Sequence, residues 1–119
     1  MKVAVIGASD KPDRYSYRAV MLLMEMGHRV FPVHNSIKKI DGLKVYRSVA
    51  DIEDDIDTIT IYVSAAVSDG IAGEIIAKKP KRIILNPGAE NDGLELEAKK
   101  AGIETINACT LVMLKTGQF

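Results

Sequence analysis

Val3-Ala4-Val5-Ile6 is an apolar, largely β-branched run that stops at Gly7-Ala8-Ser9. No other stretch constrains the fold as tightly. Such a run reads as a buried strand. A glycine at its end lets the backbone turn sharply, and Ser9 brings a hydroxyl to the place where a helix must begin. A strand, a glycine turn and a helix in that order make an anion site, because helix N-termini present unpaired N–H groups and the positive end of a dipole. The chain is expected to open on a phosphate-binding strand–turn–helix and so to belong to the α/β class.

The remaining pattern agrees. Ser16 to Met26 has helical spacing and stops at Gly27. Arg29–Val33, Thr58–Val63, Arg82–Leu85 and Ile103–Ile106 read as four further strands. His34–Lys44 is polar with a turn at Gly42, and Ser48–Asp51 starts a short helix. Ser64–Lys79 is expected as one helix with Val67, Ile71 and Ile75 inward, ending before Pro80. Asp92–Glu95 has capping-box spacing and opens a helix closed by Gly102, and Ala108–Lys115 is a last short helix. Strands apolar throughout and separated by helices indicate a parallel sheet covered on both faces. Ligands of such sheets lie beyond the carboxyl ends of the strands, where strand order reverses. Gly7–Tyr17, Val33–Lys39, Val63–Val67, Asn86–Asn91 and Asn107–Thr110 are therefore expected to converge.

Size and charge narrow the partners. A chain of 119 residues suits one domain with one core. Its formal net charge is zero, which gives no bulk attraction to nucleic acid or to a membrane surface. No apolar run approaches the roughly 18 residues of a membrane span. Met1-Lys2 leads straight into a strand, so no signal peptide is expected and the location expected is cytoplasmic. Cys109 is the only cysteine, which rules out an internal disulfide and a cysteine zinc cluster.

The phosphate turn does not fit the common fingerprints. A dinucleotide site needs G-x-G-x-x-G and an acidic residue about 20 positions further on. Here Gly7 stands alone, with Ser9 and Pro12 at the other two glycine positions, and the second strand ends Pro32-Val33-His34-Asn35 without a carboxylate. No Walker loop occurs. The turn is longer and basic instead. Lys11, Arg14 and Arg18 offer charges, and Ser9 and Ser16 offer hydroxyls. Lys38 and Lys39 follow the second strand, where a ribose-linked phosphate would lie. A pyrophosphate with one further phosphate suits this layout. Coenzyme A has that distribution, and NADP shares part of it. The competing reading is a set of solvated loop cations.

An ordered set of short motifs spans almost the whole chain. It comprises Val5-Ile6-Gly7-Ala8-Ser9, Tyr15-Ser16, Gly27 to Val33, Ile40-x-Gly42 with Tyr46, Asp57, Gly88 and Cys109. In these the chain resembles the small stand-alone CoA-binding proteins, which are similar to the N-terminal CoA-binding domain of succinyl-CoA ligase alpha subunits. The resemblance implies an α/β, Rossmann-like three-layer fold with a five-stranded parallel sheet, expected in the order 3-2-1-4-5. It implies CoA or acyl-CoA in the crevice. Gly7, Ala8 and Ser9 would meet the pyrophosphate, with Arg14 and Ser16 nearby, in the same turn where Lys11 and Tyr15 are expected from the residues themselves. Pro32, Val33, His34, Lys38 and Lys39 would flank the adenosine part. Val63, Ser64, Pro87 and Gly88 would follow the pantetheine arm. The family carries asparagine–proline where this chain has His34-Asn35. Relatives often run on past the position of Phe119, so part of one wall is expected to be missing or supplied by a partner chain.

Catalytic groups do not stand out. No Ser/His/Asp order or paired carboxylates occur at useful spacing, and no catalytic or metal-binding residue is expected. Asp51 to Asp57 reads as a solvated acidic turn, and His28 as a structural strand-edge residue. Tyr62 reads as core, whereas Tyr15 or Tyr17 is placed to cover a ligand. Cys109 is either a small buried residue or, at a helix start, a thiol facing that of CoA. The expected function is non-enzymatic binding of CoA or acyl-CoA as carrier, sensor or accessory domain, with a homodimer or a partner protein compatible with it. The competing expectations are an NADP-linked oxidoreductase or CoA-transfer component acting with a partner, and an interaction module without ligand.

Overall fold

The computed structural model describes residues 1–119. Seven strands and five α-helices follow one another: β1 (Lys2–Ile6), α1 (Tyr15–Glu25), β2 (Arg29–Val33), β3 (Lys39–Ile40), β4 (Leu43–Lys44), β5 (Thr58–Ile61), α2 (Ala65–Gly70), α3 (Ala72–Ala77), β6 (Arg82–Leu85), α4 (Asp92–Lys100), β7 (Glu104–Asn107) and α5 (Thr110–Lys115). A single 3₁₀ turn, Val49–Asp51, precedes β5, and the Ser48 hydroxyl caps it by accepting from the Ala50 N–H at 3.1 Å.

Five strands form one parallel sheet in the order β2-β1-β5-β6-β7. Counting only its own strands, that is 2-1-3-4-5, which corrects the expected 3-2-1-4-5. Pro32 carries the reason. It has no N–H for a second neighbour, so a strand containing it belongs at an edge. The outer side of β2 is paired only by an isolated bridge to Tyr46, whose N–H donates to the Pro32 carbonyl at 2.9 Å and whose carbonyl accepts from the His34 N–H at 2.9 Å. Strand order reverses between β1 and β5, so the ligand crevice of this topology lies at their carboxyl ends.

The two faces are covered unequally. On one, Ala4, Ile6, Phe31, Ile59, Ile61, Ile83 and Leu85 pack against Ile75, Leu94 and Ala98 of α3 and α4. On the other, Val3, Val5 and Val30 pack against Val20 and Leu23 of α1, Leu114 of α5, and Ile40 and Val45 of the β3–β4 region. The alternation along β1 sends Val3 and Val5 to one face and Ala4 and Ile6 to the other, as a strand buried on both sides requires.

Three local expectations need correction. The polar stretch after β2 contains the antiparallel hairpin β3–β4, turned by Asp41-Gly42 with φ of 47° and 81°. Two positive φ values in a two-residue loop mark the hairpin turn that Asp-Gly favours. The single helix over 64–79 is two short ones, α2 and α3, interrupted at Ile71 (φ −122°, ψ 11°) beside Gly70. The interruption breaks the helical phase, so Ile75 is buried while Val67 is 52% exposed. The cap of α4 is Asn91, whose Oδ1 accepts from the Leu94 N–H at 3.0 Å while its amide donates to Ser68 and Asp69 on α2.

Candidate functional site

Gly7 sits at the reversal point with φ of +84°, and a Cβ there would lie 2.8 Å from Val63 Cγ1 and 3.3 Å from the Tyr62 carbonyl carbon. Both its conformation and its space exclude a side chain. The N–H groups of Gly7 and Ala8 donate to the Val33 carbonyl at 3.0 and 3.2 Å. They pin the turn to β2 and are not free for an anion. The free donors lie one step further on. The N–H groups of Tyr15, Ser16 and Tyr17 have no backbone acceptor, and no side chain caps α1. The N-cap residue is Arg14, a cation at the positive end of the helix dipole. Carboxylate or hydroxyl caps are the stabilising choice at such a position. A basic, uncapped N-terminus is an arrangement that an anion would complete.

A cleft of about 680 Å³ opens over this turn. Gly7, Ala8, Ser9, Lys11, Arg14, Tyr15 and Ser16 form one side, and His34, Val63 and Pro87 close it from β2, β5 and β6. Ten of the residues expected from sequence thus meet in one place. No carboxylate pairs with Lys11 or Arg14. The Ser9 oxygen accepts from the Lys11 N–H at 3.1 Å, which leaves its hydroxyl proton to donate. His34 accepts at Nδ1 from the Ser36 and Ile37 N–H groups at 3.1 and 3.0 Å. The neutral ring therefore carries its proton on Nε2.

Seven expected residues are not in that wall. Pro32 and Val33 are buried in β2, where the Val33 carbonyl holds the turn. Lys38 and Lys39 are exposed on the hairpin beyond Ile37, which does line the cleft. Ser64 is the N-cap of α2, and the Gly88 N–H is held by the Glu90 carboxylate at 2.9 Å. Cys109 lines a different space. Asp10, Ile37 and Tyr62 line the cleft without having been expected there. Tyr62 reads as core only if its strand runs to Val63; β5 stops at Ile61, which leaves Tyr62 half-buried at the strand end. Of the two tyrosines placed to cover a ligand, Tyr15 is 67% exposed and lines the cleft, while Tyr17 donates to Asp41 at 2.5 Å and ties α1 to the hairpin. That Asp41 bond holds the Tyr17 phenol above its ordinary pKa.

A second groove of about 680 Å³ runs between α1 and α5, and Cys109, Asn86 and Tyr62 are among its lining residues. Behind it, the Asn86 amide donates to the Thr60 hydroxyl at 2.7 Å and the Ile61 carbonyl at 2.9 Å, and its oxygen accepts from the Thr110 N–H at 2.8 Å. Thr60 and Thr110 share a 2.7 Å hydrogen bond. The Tyr62 hydroxyl is buried without a partner. Burial raises its pKa far above the phenol range, so it is a neutral donor at every physiological pH. No three His, Cys, Asp or Glu side chains converge as metal ligands, and Asp54 of the acidic turn pairs instead with Lys2 and Arg29 at 3.4 and 3.2 Å. No helix is long and apolar enough to cross a membrane.

The chain matches the family described as "CoA binding domain" over residues 1–115. It is 34% identical over 99 residues to the ADP-forming acetate–CoA ligase of Methanocaldococcus jannaschii, a match covering 82% of this chain and 14% of the ligase. It is 29% identical over 75 residues to the uncharacterized protein YneT of Bacillus subtilis, covering 63% of this chain and 56% of that protein. It thus spans about one seventh of the ligase and just over half of YneT. A solved structure described as an uncharacterized protein superposes with a TM-score of 0.94 at 35% identity, covering 99% of this chain and 97% of the other. This chain belongs to the family of CoA-binding domains found in ADP-forming acetate–CoA ligases.

Proposed function

We propose that this protein binds coenzyme A or its thioesters in the crevice between β1 and β5, and acts by binding rather than by catalysis. The observation that carries the reading is the basic, uncapped N-terminus of α1 opening into a cleft at the point of strand reversal. Family membership supports CoA as the ligand. In this reading the pyrophosphate lies against the Ser9, Tyr15 and Ser16 donors, with Lys11 and Arg14 neutralising it. His34 Nε2 and the Lys38-Lys39 pair lie toward the ribose phosphate. Val63, Ser64, Pro87 and Gly88 lead the pantetheine arm across the strand ends toward Cys109. A match to only 14% of the ligase's length favours a role as one component, with any chemistry supplied by another domain or a partner protein.

Calorimetric titration with CoA, dephospho-CoA, NAD and NADP tests the reading. CoA is expected to bind more tightly than dephospho-CoA, with NAD silent. Arg14→Ala is expected to weaken CoA binding about tenfold or more, since a hydrogen bond to a charged group contributes roughly 1.5–3 kcal/mol. Binding of NADP alone would move the protein to the oxidoreductases, and silence for all four would leave an interaction module.

A further inference from the structure

The groove between α1 and α5 has no part in holding phosphates, yet it is continuous with the space that does. Tyr15, Tyr62 and Pro87 line both cavities. The two differ in chemistry. The cleft is edged by Lys11 and Arg14, whereas the groove is faced by Met21 and Leu22 from α1 and by Leu111 and Val112 from α5. Its charged members, Arg18, Glu25 and Lys115, are all exposed. The groove lies between the mostly half-buried and exposed side chains that α1 and the six-residue α5 turn toward each other. A ligand that fills both spaces must be anionic at one end and apolar at the other. A dinucleotide is polar at both ends. A thioester of CoA is not.

We propose that the α1–α5 groove receives the acyl chain of an acyl-CoA, and that the ligand class is the CoA thioesters of aliphatic acids of several carbons. The assignment rests on the CoA reading above. The pantetheine arm passes between Tyr15 and Pro87, the thioester lies near Cys109, and the chain runs between Leu22 and Val112. The Tyr62 side chain is part of the shared wall, with its hydroxyl buried behind it.

The test is the affinity of CoA, acetyl-CoA, hexanoyl-CoA and decanoyl-CoA for the wild type and for Val112→Glu, with sedimentation velocity on both proteins. Val112 is 57% exposed, so the substitution places a charge in the groove without opening the core. Each buried methylene strengthens binding by up to about fourfold. Hexanoyl-CoA is expected to bind the wild type at least tenfold more tightly than acetyl-CoA, and Val112→Glu to bring that ratio close to one. CoA binding without dependence on chain length overturns the groove assignment and leaves the CoA reading standing. A chain-length gain that survives in Val112→Glu also overturns it, because the chain then lies elsewhere. A dimer dispersed by Val112→Glu, with no chain-length gain, gives the groove to a second copy of the chain. Failure of every CoA species to bind removes both readings together.

Discussion

Gly7, Tyr62 and His34 shape the crevice in different ways. Gly7 lets β1 and β5 approach at the reversal point, with 2.8 Å between a notional Cβ and Val63. Gly7→Ala is expected to lose about 2 kcal/mol or more, from the left-handed backbone and from the displaced Val63. Urea unfolding measures it, and a loss below 0.5 kcal/mol would mean that the strand ends adjust freely. Tyr62 presents the opposite case. Its orphan hydroxyl is a burden on the free protein, so Tyr62→Phe is expected to be neutral or to raise the unfolding midpoint. A loss of more than about 1 kcal/mol would reveal a partner that the hydroxyl has in solution. His34 stands where the family resemblance leads one to expect asparagine, and it serves the same turn. Nδ1 hangs from Cγ as an asparagine Oδ1 does, and it accepts the Ser36 and Ile37 N–H groups that such an oxygen would take. The substitution keeps the turn and adds an Nε2 donor in the wall of the cleft.

At the scale of elements, side-chain bonds hold the strand ends and helix starts around the site. Asn86 at the end of β6 joins β5 to the first turn of α5, and so fixes Pro87 on one side and Cys109 on the other. Asn86→Ala removes three side-chain hydrogen bonds and leaves the buried Thr110 N–H without a partner, while the Ile61 carbonyl keeps the backbone N–H of residue 86 and the Thr60 hydroxyl keeps that of Thr110. A loss of roughly 1–3 kcal/mol is expected in urea unfolding, the cost of one buried unsatisfied group. A loss under 1 kcal/mol would show that water or a repacked Thr60–Thr110 pair replaces it. Periodicity made the strands legible. Arg29–Val33 and Arg82–Leu85 have the expected bounds. The phosphate turn was legible too, because Gly7, Ser9 and the cations sit together in the chain. What periodicity does not contain is pairing. The strand order depends on which edges can donate, and Pro32 was the one local sign of it. The β3–β4 hairpin was announced by Asp41-Gly42 but lies among polar residues that carry no strand pattern. The break at Ile71 comes from Gly70 and from the grip of Asn91 on α2, a contact more than twenty residues away in sequence. Lys38 and Lys39 follow β2 as expected, on the hairpin beside the cleft rather than among its lining residues.

At the scale of the molecule, the two ends of the sheet divide the work. The carboxyl end carries the crevice, while the amino end is tied by Lys2, Arg29, Asp54, Asp57 and Lys81, with His28 stacked edge-on against Phe119 at 5.2 Å. Burial first, then the Met1 amino group and Arg82, holds the His28 pKa below its ordinary 6.5. Between its folded value and 6.5 the unfolded chain binds the extra proton and the folded one does not. Stability therefore rises with pH across that window and is lost as the pH falls below about 6.5. The unfolding midpoint is expected to drop further between pH 7.5 and pH 5.5 in the wild type than in His28→Gln; equal drops would exclude His28 as the source. None of these contacts touches the crevice, which lies at the opposite end of the sheet. The central claim is that CoA enters at the carboxyl end, against the start of α1. The measurement that tests it most directly is an amide NMR titration with CoA. The account predicts the largest shifts at Ser9, Tyr15, Ser16 and Val63, and little change at Arg29, Asp57 and Lys81. Shifts confined to that amino end, or none at millimolar CoA, would contradict it.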